Sequence, residues 1–444
     1  MPTYGGDEVN ALVLDIGSAY TRAGFAGEDL PKAYFPSHIG YVETDVEVTE
    51  TADDPSKGAG ASPAASDGDV AMGDRAATRK ERQYFCDTEG GAWRAGMEIG
   101  GPMEDGVVKD WDIYEKIWEY AFKTRLRVRA EEHPVIVSEA AWNTSEQRAK
   151  LVELAFEKFQ CPAFFVCKTP VLAAFGTGRH TGLVVDVGGE SASACAVYEG
   201  YCLTKTIRRQ ALGGEQLTAH ILSQLRAEFN YEPTPLFDIK SKTPTDIQRL
   251  PAVARRNRAG VTDSYLSAMR HRLTLEFKES ACEILERPFA KSYAESKPHK
   301  PFEFPDGFNA SFSAMRYALP EALFNPKDYY SGPGAGSLVG VHELALRSVV
   351  ASDIDLRPHL LNSVVLAGGS SLFPGFADRM SLALQEAIPG SRLKLYCPTS
   401  AIERKVTAWL GGSILGSLGT FHQLWISRAE YDEHGASIVD KRCL

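Results

Sequence analysis

Five short apolar runs punctuate the chain: Ala11-Leu-Val-Leu14, Val135-Ile-Val137, Phe164-Phe-Val166, Leu183-Val-Val185 and Val364-Val-Leu366. Runs this short and uninterrupted predict strands buried on both faces. Elsewhere the period lengthens. Trp111, Tyr114, Ile117, Trp118, Ala121 and Phe122 recur every three or four residues, which predicts a helix with one apolar face. Asp110 or Asp112 is placed to cap it. Thr144-x-x-Gln147 predicts a capping box before a helix carrying Leu151, Leu154 and Ala155. Thr169-Pro170 reads as an N-cap followed by proline at the first helical position. Strand and helix signals in alternation predict an α/β chain.

One pattern occurs twice. Leu-Val-Leu-Asp15-Ile-Gly17-Ser18 and Leu-Val-Val-Asp186-Val-Gly188-Gly189 share an apolar run, an Asp, an apolar residue, a Gly and a small residue. A third apolar run ends in Ala367-Gly368-Gly369-Ser370. Two similar halves facing each other across a cleft would produce the first two.

An Asp at the end of a buried strand is costly unless it is paired or solvated by a ligand. Two such Asp at equivalent turns suit a hydrated Mg²⁺ held through its water shell. Glycines after each Asp let backbone N–H groups face a phosphate chain, and a Gly-Gly pair lets a flat nucleoside approach the backbone. A single Asp-x-Gly is an ordinary strand-ending turn; two matched copies with a third Gly-Gly favour a nucleotide cleft. No GxxxxGK[ST] is present, which excludes a P-loop.

Composition narrows the class. With 444 residues, 44% hydrophobic and 24% charged, the chain is that of an ordinary globular protein with a large core. No apolar stretch approaches the ~18 residues of a membrane span, and the acidic start does not read as a secretory leader. The eight cysteines form no CxxC pair or zinc spacing, so buried reduced thiols and a cytosolic or nuclear compartment are expected. Net charge is −10, yet nine acids and one lysine between Tyr41 and Asp74 supply −8 of it. Residues 50–80, dominated by Ala, Gly, Ser, Pro and Asp, are expected to be disordered. Residues 230–262 and 291–307 read as further loop insertions. Lys123, Arg125, Arg127 and Arg129, then Lys205, Arg208 and Arg209, and Arg255, Arg256 and Arg258, form basic clusters that read as solvated faces rather than a DNA footprint.

Longer motifs carry a family resemblance. Asp15-Ile-Gly-Ser, Arg22-Ala-Gly-Phe-Ala-Gly-Glu-Asp, Phe35-Pro-Ser37, Glu131-Glu-His-Pro134 and Thr181-Gly-Leu-Val-Val-Asp186 resemble actin, in that order. So do Tyr198-Glu-Gly-Tyr201, Gly375-Phe-Ala-Asp-Arg-Met380, Trp409-Leu-Gly-Gly-Ser-Ile-Leu415, Trp425-Ile-Ser-Arg-Ala-Glu-Tyr431 and Lys441-Arg-Cys443. The resemblance spans nearly the whole chain except 41–92 and about 225–310. Tyr4-Gly-Gly-Asp-Glu-Val9, Glu139-Ala-Ala-Trp142-Asn-Thr144, Pro162-Ala-Phe-Phe165, Cys167-Lys-Thr169 and Leu418-Gly-Thr-Phe421 are similar to a nuclear, actin-related branch of that family.

The resemblance implies an α/β, actin-like two-lobed fold, made of duplicated ribonuclease H-like domains with a nucleotide cleft between them. It places the small lobe at 1–36 and 93–176, with an acidic, largely disordered insertion at 37–92. The large lobe follows at 177–212, 213–331 and 332–405, and residues 406–444 return to the small lobe. It implies that Asp15, Gly17, Ser18 and Arg22 form a first phosphate loop and Asp186 and Gly188 a second. Gly214, Gly368, Gly369, Leu372 and Lys405 fall at nucleoside positions, and Asp15 and Asp186 hold Mg²⁺ through water beside ATP.

The pattern also breaks. Arg22 stands where actin has a phosphate-directed lysine. Gly189 replaces an acid and Glu190 a glycine; Glu190 is expected to be a solvated loop carboxylate. Thr169 and Ser193 stand where actin has a water-positioning glutamine and histidine, so hydrolysis is expected to be absent or very slow. The Lys-Glu pair that brackets adenine in actin has no clear counterpart before Arg270-His-Arg272. The implied role is a non-catalytic scaffold in the nucleus, in chromatin-remodelling and histone acetyltransferase complexes. Its implied partners are actin and a long helicase-associated helix of a remodelling ATPase or acetyltransferase scaffold, with histones or nucleosomal DNA also admitted. No membrane and no homopolymer are expected. Phe175, Leu410, Leu415 and Leu418 are candidates for the lining of the helix-binding groove, Leu415 alone reading as core. The competing readings are an ATP-dependent small-molecule kinase of the same superfamily and a filament-forming actin.

Overall fold

The structure, a computed structural model, describes residues 10–48, 77–86, 88 and 92–443. Two six-stranded sheets organise it. The first runs, edge to edge, Ile426–Ser427, Ala163–Lys168, Val135–Glu139, Leu12–Ile16, Tyr20–Phe25 and Ala33–Pro36. The second runs Tyr201–Cys202, Ala192–Tyr198, Gly182–Val187, Val364–Ala367 and Leu395–Tyr396, with Arg208–Gln210 pairing to Ala192–Tyr198. All five apolar runs are strands, at or near the sheet centres. Each sheet has its own apolar core. Trp118, Phe122, Phe164 and Trp409 sit in the first, and Phe277, Phe308, Leu366 and Phe376 in the second. The chain is thus a mixed α/β protein of two lobes.

The repeat is structural as well as sequential. Leu12–Ile16 runs antiparallel to Tyr20–Phe25 and parallel to Val135–Glu139. Gly182–Val187 runs antiparallel to Ala192–Tyr198 and parallel to Val364–Ala367. Asp15 faces Arg22 in the first ladder, and Asp186 faces Ser193 in the second.

The Trp111–Glu119 helix is capped by Asp110, whose side chain accepts from the Ile113 N–H, and it continues as a π-helix over Tyr120–Leu126. Thr144 caps the Ser145–Glu153 helix through the Gln147 N–H, but the Gln147 side-chain oxygen is buried without a hydrogen bond, so the box is half made. Thr169 is not an N-cap. The helix spans Thr169–Gly176 with Lys168 in the N-cap position, so Thr169 is already its first residue, and the Thr169 hydroxyl donates to the Glu139 carbonyl at 2.8 Å. This helix crosses Thr407–Ser417 backbone to backbone at Gly176 and Gly411, where no side chain fits.

The expected disordered insertion needs correction at both ends. Ile39–Val48 and Ala77–Phe85 form a continuous antiparallel ladder from Gly40↔Phe85 to Val48↔Ala77. Acids at 43, 45 and 47 alternate with Val or Thr, a period of two that net charge conceals. Glu43 lies opposite Arg82 and pairs with it at 2.9 Å. The rest of the expected disorder, 49–76, lies outside the described residues. The other two loop candidates also contain structure: Ile239–Lys242 pairs with Val253–Arg255, and Lys300–Glu303 with Asn309–Phe312.

All eight cysteines are free thiols, five of them buried. Burial pushes those of Cys161, Cys282 and Cys443 up to about 12. The basic clusters carry local counter-charges: Lys123 pairs with Glu119, Arg129 with Glu131, Lys205 with Asp353 and Arg255 with Asp238. No helix among the described residues is long and apolar enough to cross a membrane.

Candidate functional site

Where the two Asp-bearing hairpins meet, a cavity of about 430 Å³ opens between the lobes, within the ~300–1,000 Å³ of small-molecule sites. Asp15, Gly17, Ser18, Arg22, Asp186, Gly188, Gly214, Gly368, Gly369, Leu372 and Lys405 all line it.

The hairpins are built alike. The Gly17 N–H donates to the Tyr20 carbonyl at 3.0 Å, and the Gly188 N–H to the Ser191 carbonyl at 2.9 Å. Each turn therefore has two residues at its tip, Ser18-Ala19 and Gly189-Glu190. The tips meet across the cleft. A Cβ at Gly189 would lie 2.8 Å from Ser18 Oγ and 3.0 Å from Ala19 Cβ, so the acid that the resemblance places there does not fit. Gly368 has φ +86°, and a Cβ there would lie 2.3 Å from Asp186 Oδ1, whereas Gly369 faces open space. That opening beside a turn without side chains suits a flat ring approaching the backbone.

The two aspartates are held differently. Both oxygens of Asp15 are engaged: Ser138 Oγ donates to Oδ1 at 2.5 Å and Arg22 Nη1 to Oδ2 at 3.1 Å. The guanidinium also donates to the Tyr20 carbonyl at 3.2 Å and lies 5.6 Å from the Tyr34 ring centre. Asp186 opens on the cleft with protein atoms crowded around it. Desolvation, with Asp15 nearby, raises its carboxyl to about 6, and Arg22 partly offsets the rise. A carboxylate whose charge is this poorly solvated favours a cation beside it.

Glu190 is not the solvated carboxylate expected. It turns in toward the first-lobe turn at Asp105-Gly106, with one oxygen buried and without a hydrogen bond. Burial raises it to about 7, Glu215 adds to the rise, and the Gly106 and Asp105 backbone N–H groups oppose it. Thr169 and Ser193 line the cavity near the Asp186 strand. Their short hydroxyls leave no amide or imidazole at those positions.

Several lining residues were missed in the sequence. Lys278 donates to the Gly214 carbonyl and to Thr218 Oγ1, both at 2.8 Å, and burial lowers its ammonium to about 8. Glu279 pairs with Lys405 at 3.5 Å. Lys278-Glu279 is a Lys-Glu dipeptide lining the cleft about two turns beyond Arg270-His-Arg272 on the Asp263–Ala281 helix, after the segment in which no clear counterpart was found. Ser138, the partner of Asp15, was findable only from the parallel register with Val135–Glu139.

A family model described as actin matches residues 6–444. The chain is similar to Actin-related protein 4 of Oryza sativa subsp. indica, 38% identical over 449 residues, covering 99% of this chain and 100% of that one. It is also similar to the proteins of the same name from Arabidopsis thaliana (36% identical, 99% and 100% covered) and Schizosaccharomyces pombe (35% identical, 99% of each).

Proposed function

The chain belongs to the actin family, and we propose that it is a non-catalytic, ATP-binding scaffold subunit of nuclear chromatin-remodelling and histone acetyltransferase complexes. The observation that carries the reading is a cleft with paired hairpins and an open Gly369 side, but, among the described residues, no side-chain amide or imidazole in its lining. The Thr169 hydroxyl is committed to the Glu139 carbonyl, and Ser193 is too short to reach a phosphate-bound water.

In this reading Gly368, Gly369, Leu372 and Lys405 flank the nucleoside, while the Ser18 and Gly189 tips flank the phosphates. Asp186 and Asp15 would hold Mg²⁺ through its waters, and the ion supplies neutralisation of phosphate charge. Lys278 fixes the start of the Gly214–Phe229 helix through the Gly214 carbonyl and so shapes the base side of the cleft. Nucleotide would join the two lobes rather than be consumed.

The proposed partners are actin and a long amphipathic helix. Leu418 and Leu424 are exposed and Phe175 and Leu410 half-buried near the C-terminal helices, whereas Leu415 is core. Exposed leucines of this kind suit an apolar helix face. The basic clusters, paired in part with local acids, give DNA contact no comparable support.

The test is direct. Purified protein should release ATP on denaturation, and its turnover should fall far below that of filamentous actin. Turnover comparable to the filament, or phosphorylation of a small molecule from a metabolite panel, would overturn the scaffold reading. Pelleting with Mg²⁺ and ATP would support a filament instead.

A further inference from the structure

Outside the cleft, two thiols face each other. Cys195, in the Ala192–Tyr198 strand, and Cys202, in the adjoining Tyr201–Cys202 strand, have their sulfurs 3.0 Å apart. That is roughly 1 Å beyond the ~2.05 Å of a disulfide bond. The tight turn at Glu199-Gly200 brings the strands together, with Val197 opposite Cys202, so the two cysteines sit diagonally in one ladder. Cys195 is buried and Cys202 half-buried, so the second is the less enclosed of the two.

The surroundings give the pair a direction. The two sulfurs share one S–H between them, and this contact holds the Cys202 thiol below its ordinary range, with Lys168 helping and burial opposing. Cys195 moves the other way through the same contact. A more acidic, more accessible thiol beside a buried one is the arrangement of an attacking and a resolving cysteine. Cys161, Cys282 and Cys443, in contrast, are buried with raised thiols.

We propose that Cys195 and Cys202 form a redox-active dithiol that hydrogen peroxide or an organic hydroperoxide converts to an intrachain disulfide. The Cys202 thiolate attacks the terminal peroxide oxygen and becomes a sulfenic acid; the leaving hydroxide of hydrogen peroxide, or alkoxide of an organic hydroperoxide, takes a proton to become water or an alcohol. The Cys195 sulfur then attacks the sulfenic sulfur, an S–S bond forms, and water leaves with the Cys195 proton. The two thiols lose two electrons and two protons, and the peroxide gains both. A dithiol reductant reverses the change by exchange. The bridge would lie beside the Thr169–Gly176 helix, whose Phe175 ring faces Gly200.

The test uses intact, full-length protein and hydrogen peroxide in slight molar excess. Free thiols are then alkylated under denaturing conditions, and the tryptic peptide spanning 180–205 is weighed. The proposal expects most of that peptide to lack both alkyl groups and two hydrogens and to revert with dithiothreitol, while the other six cysteines are alkylated in full. In Cys195→Ser, Cys202 should be trapped by dimedone as a sulfenic acid. The wild-type measurement stands alone should a variant fail to fold. Recovery of both thiols as alkylated, or of Cys202 as a sulfinic acid with Cys195 free, would overturn the proposal.

Discussion

Arg209, in the second lobe, is ion-paired with Asp105, in a first-lobe turn, and donates to the Asp105 carbonyl as well, at 3.3 Å. Trp142 Nε1 donates to that same carbonyl at 2.9 Å, and the guanidinium lies 5.0 Å from the Trp142 ring centre. This cluster fastens the lobes at the hairpin-tip end of the cleft, next to Glu190. Both partners are substantially exposed, so the pair adds at most ~1 kcal/mol to stability. Arg209→Ala should therefore leave the melting temperature nearly unchanged yet speed release of a fluorescent ATP analogue several-fold in stopped flow. An unchanged release rate would show that the cluster does not restrain the lobes.

Gly368 and Gly369 should respond oppositely to alanine. At Gly368 the new Cβ meets Asp186 and the backbone is left-handed, which costs on the order of 1–3 kcal/mol in backbone strain alone. Gly368→Ala should unfold at clearly lower urea and bind no ATP. Gly369→Ala meets nothing within 4 Å and should match the wild type in urea.

Arg22 supplies a resident cation on Asp15. One of the two cleft carboxylates is therefore already compensated, and ATP retention should depend less on Mg²⁺ than it would without that guanidinium. Arg22→Met leaves Asp15 uncompensated beside the phosphates. Titration calorimetry with EDTA or Mg²⁺ should show a Mg²⁺ dependence at least tenfold larger in the variant than in the wild type. Equal dependence would mean that Arg22 plays no such part.

Glu190 predicts a pH profile. Its carboxyl is raised from an ordinary 4.5 to about 7, so the folded protein keeps a proton that the unfolded chain releases. Stability should fall as pH rises through that window, and the penalty is complete above it. Asp186, raised from 3.8 to about 6, acts with the same sign at slightly lower pH. Because Glu190 is partly exposed, solvent screening limits its share to on the order of 1–2 kcal/mol. In urea melts of nucleotide-free protein, Glu190→Gln should lose less stability between pH 5 and pH 8 than the wild type. An identical loss would show that the carboxylate titrates normally.

Leu418 and Leu415 separate docking from folding. Leu418 is 42% exposed and Leu415 only 8%. Leu418→Asp should fold normally yet weaken binding to a helicase-associated helix peptide, with actin present, by tenfold or more. Leu415→Asp places a charge in the core and should be recovered largely insoluble. Unchanged peptide affinity in a folded Leu418→Asp protein would move the docking site elsewhere.

Much of this was legible from the residues because the signals were local. Asp15 and Asp186 each end a buried strand, and the matching neighbours gave away both the duplication and the cleft. Glu190 was misread because its surroundings come from Asp105-Gly106 in the other lobe, which no spacing within its own loop reveals. The pairing of Arg22 with Asp15 depends on the hairpin register; a two-residue tip at Ser18-Ala19 would have set those residues opposite each other. The Ile39–Val48 strand was hidden by its own acidity. Its alternation was present, but a charge count sums over both faces and erases it.

The ladder from Gly40 to Val48 has a further consequence for how this chain tolerates change. Because Val48 and Ala77 are paired neighbours, the two points between which residues 49–76 must run are fixed by the ribbon. The entropy of closing a flexible loop grows only logarithmically, about 0.6 kcal/mol for each doubling of length. Lengthening this segment or grafting an epitope tag into it is thus nearly free thermodynamically, whereas trimming past either anchor residue begins to unzip the ribbon. Between those two anchors is where an experimenter would attach a probe.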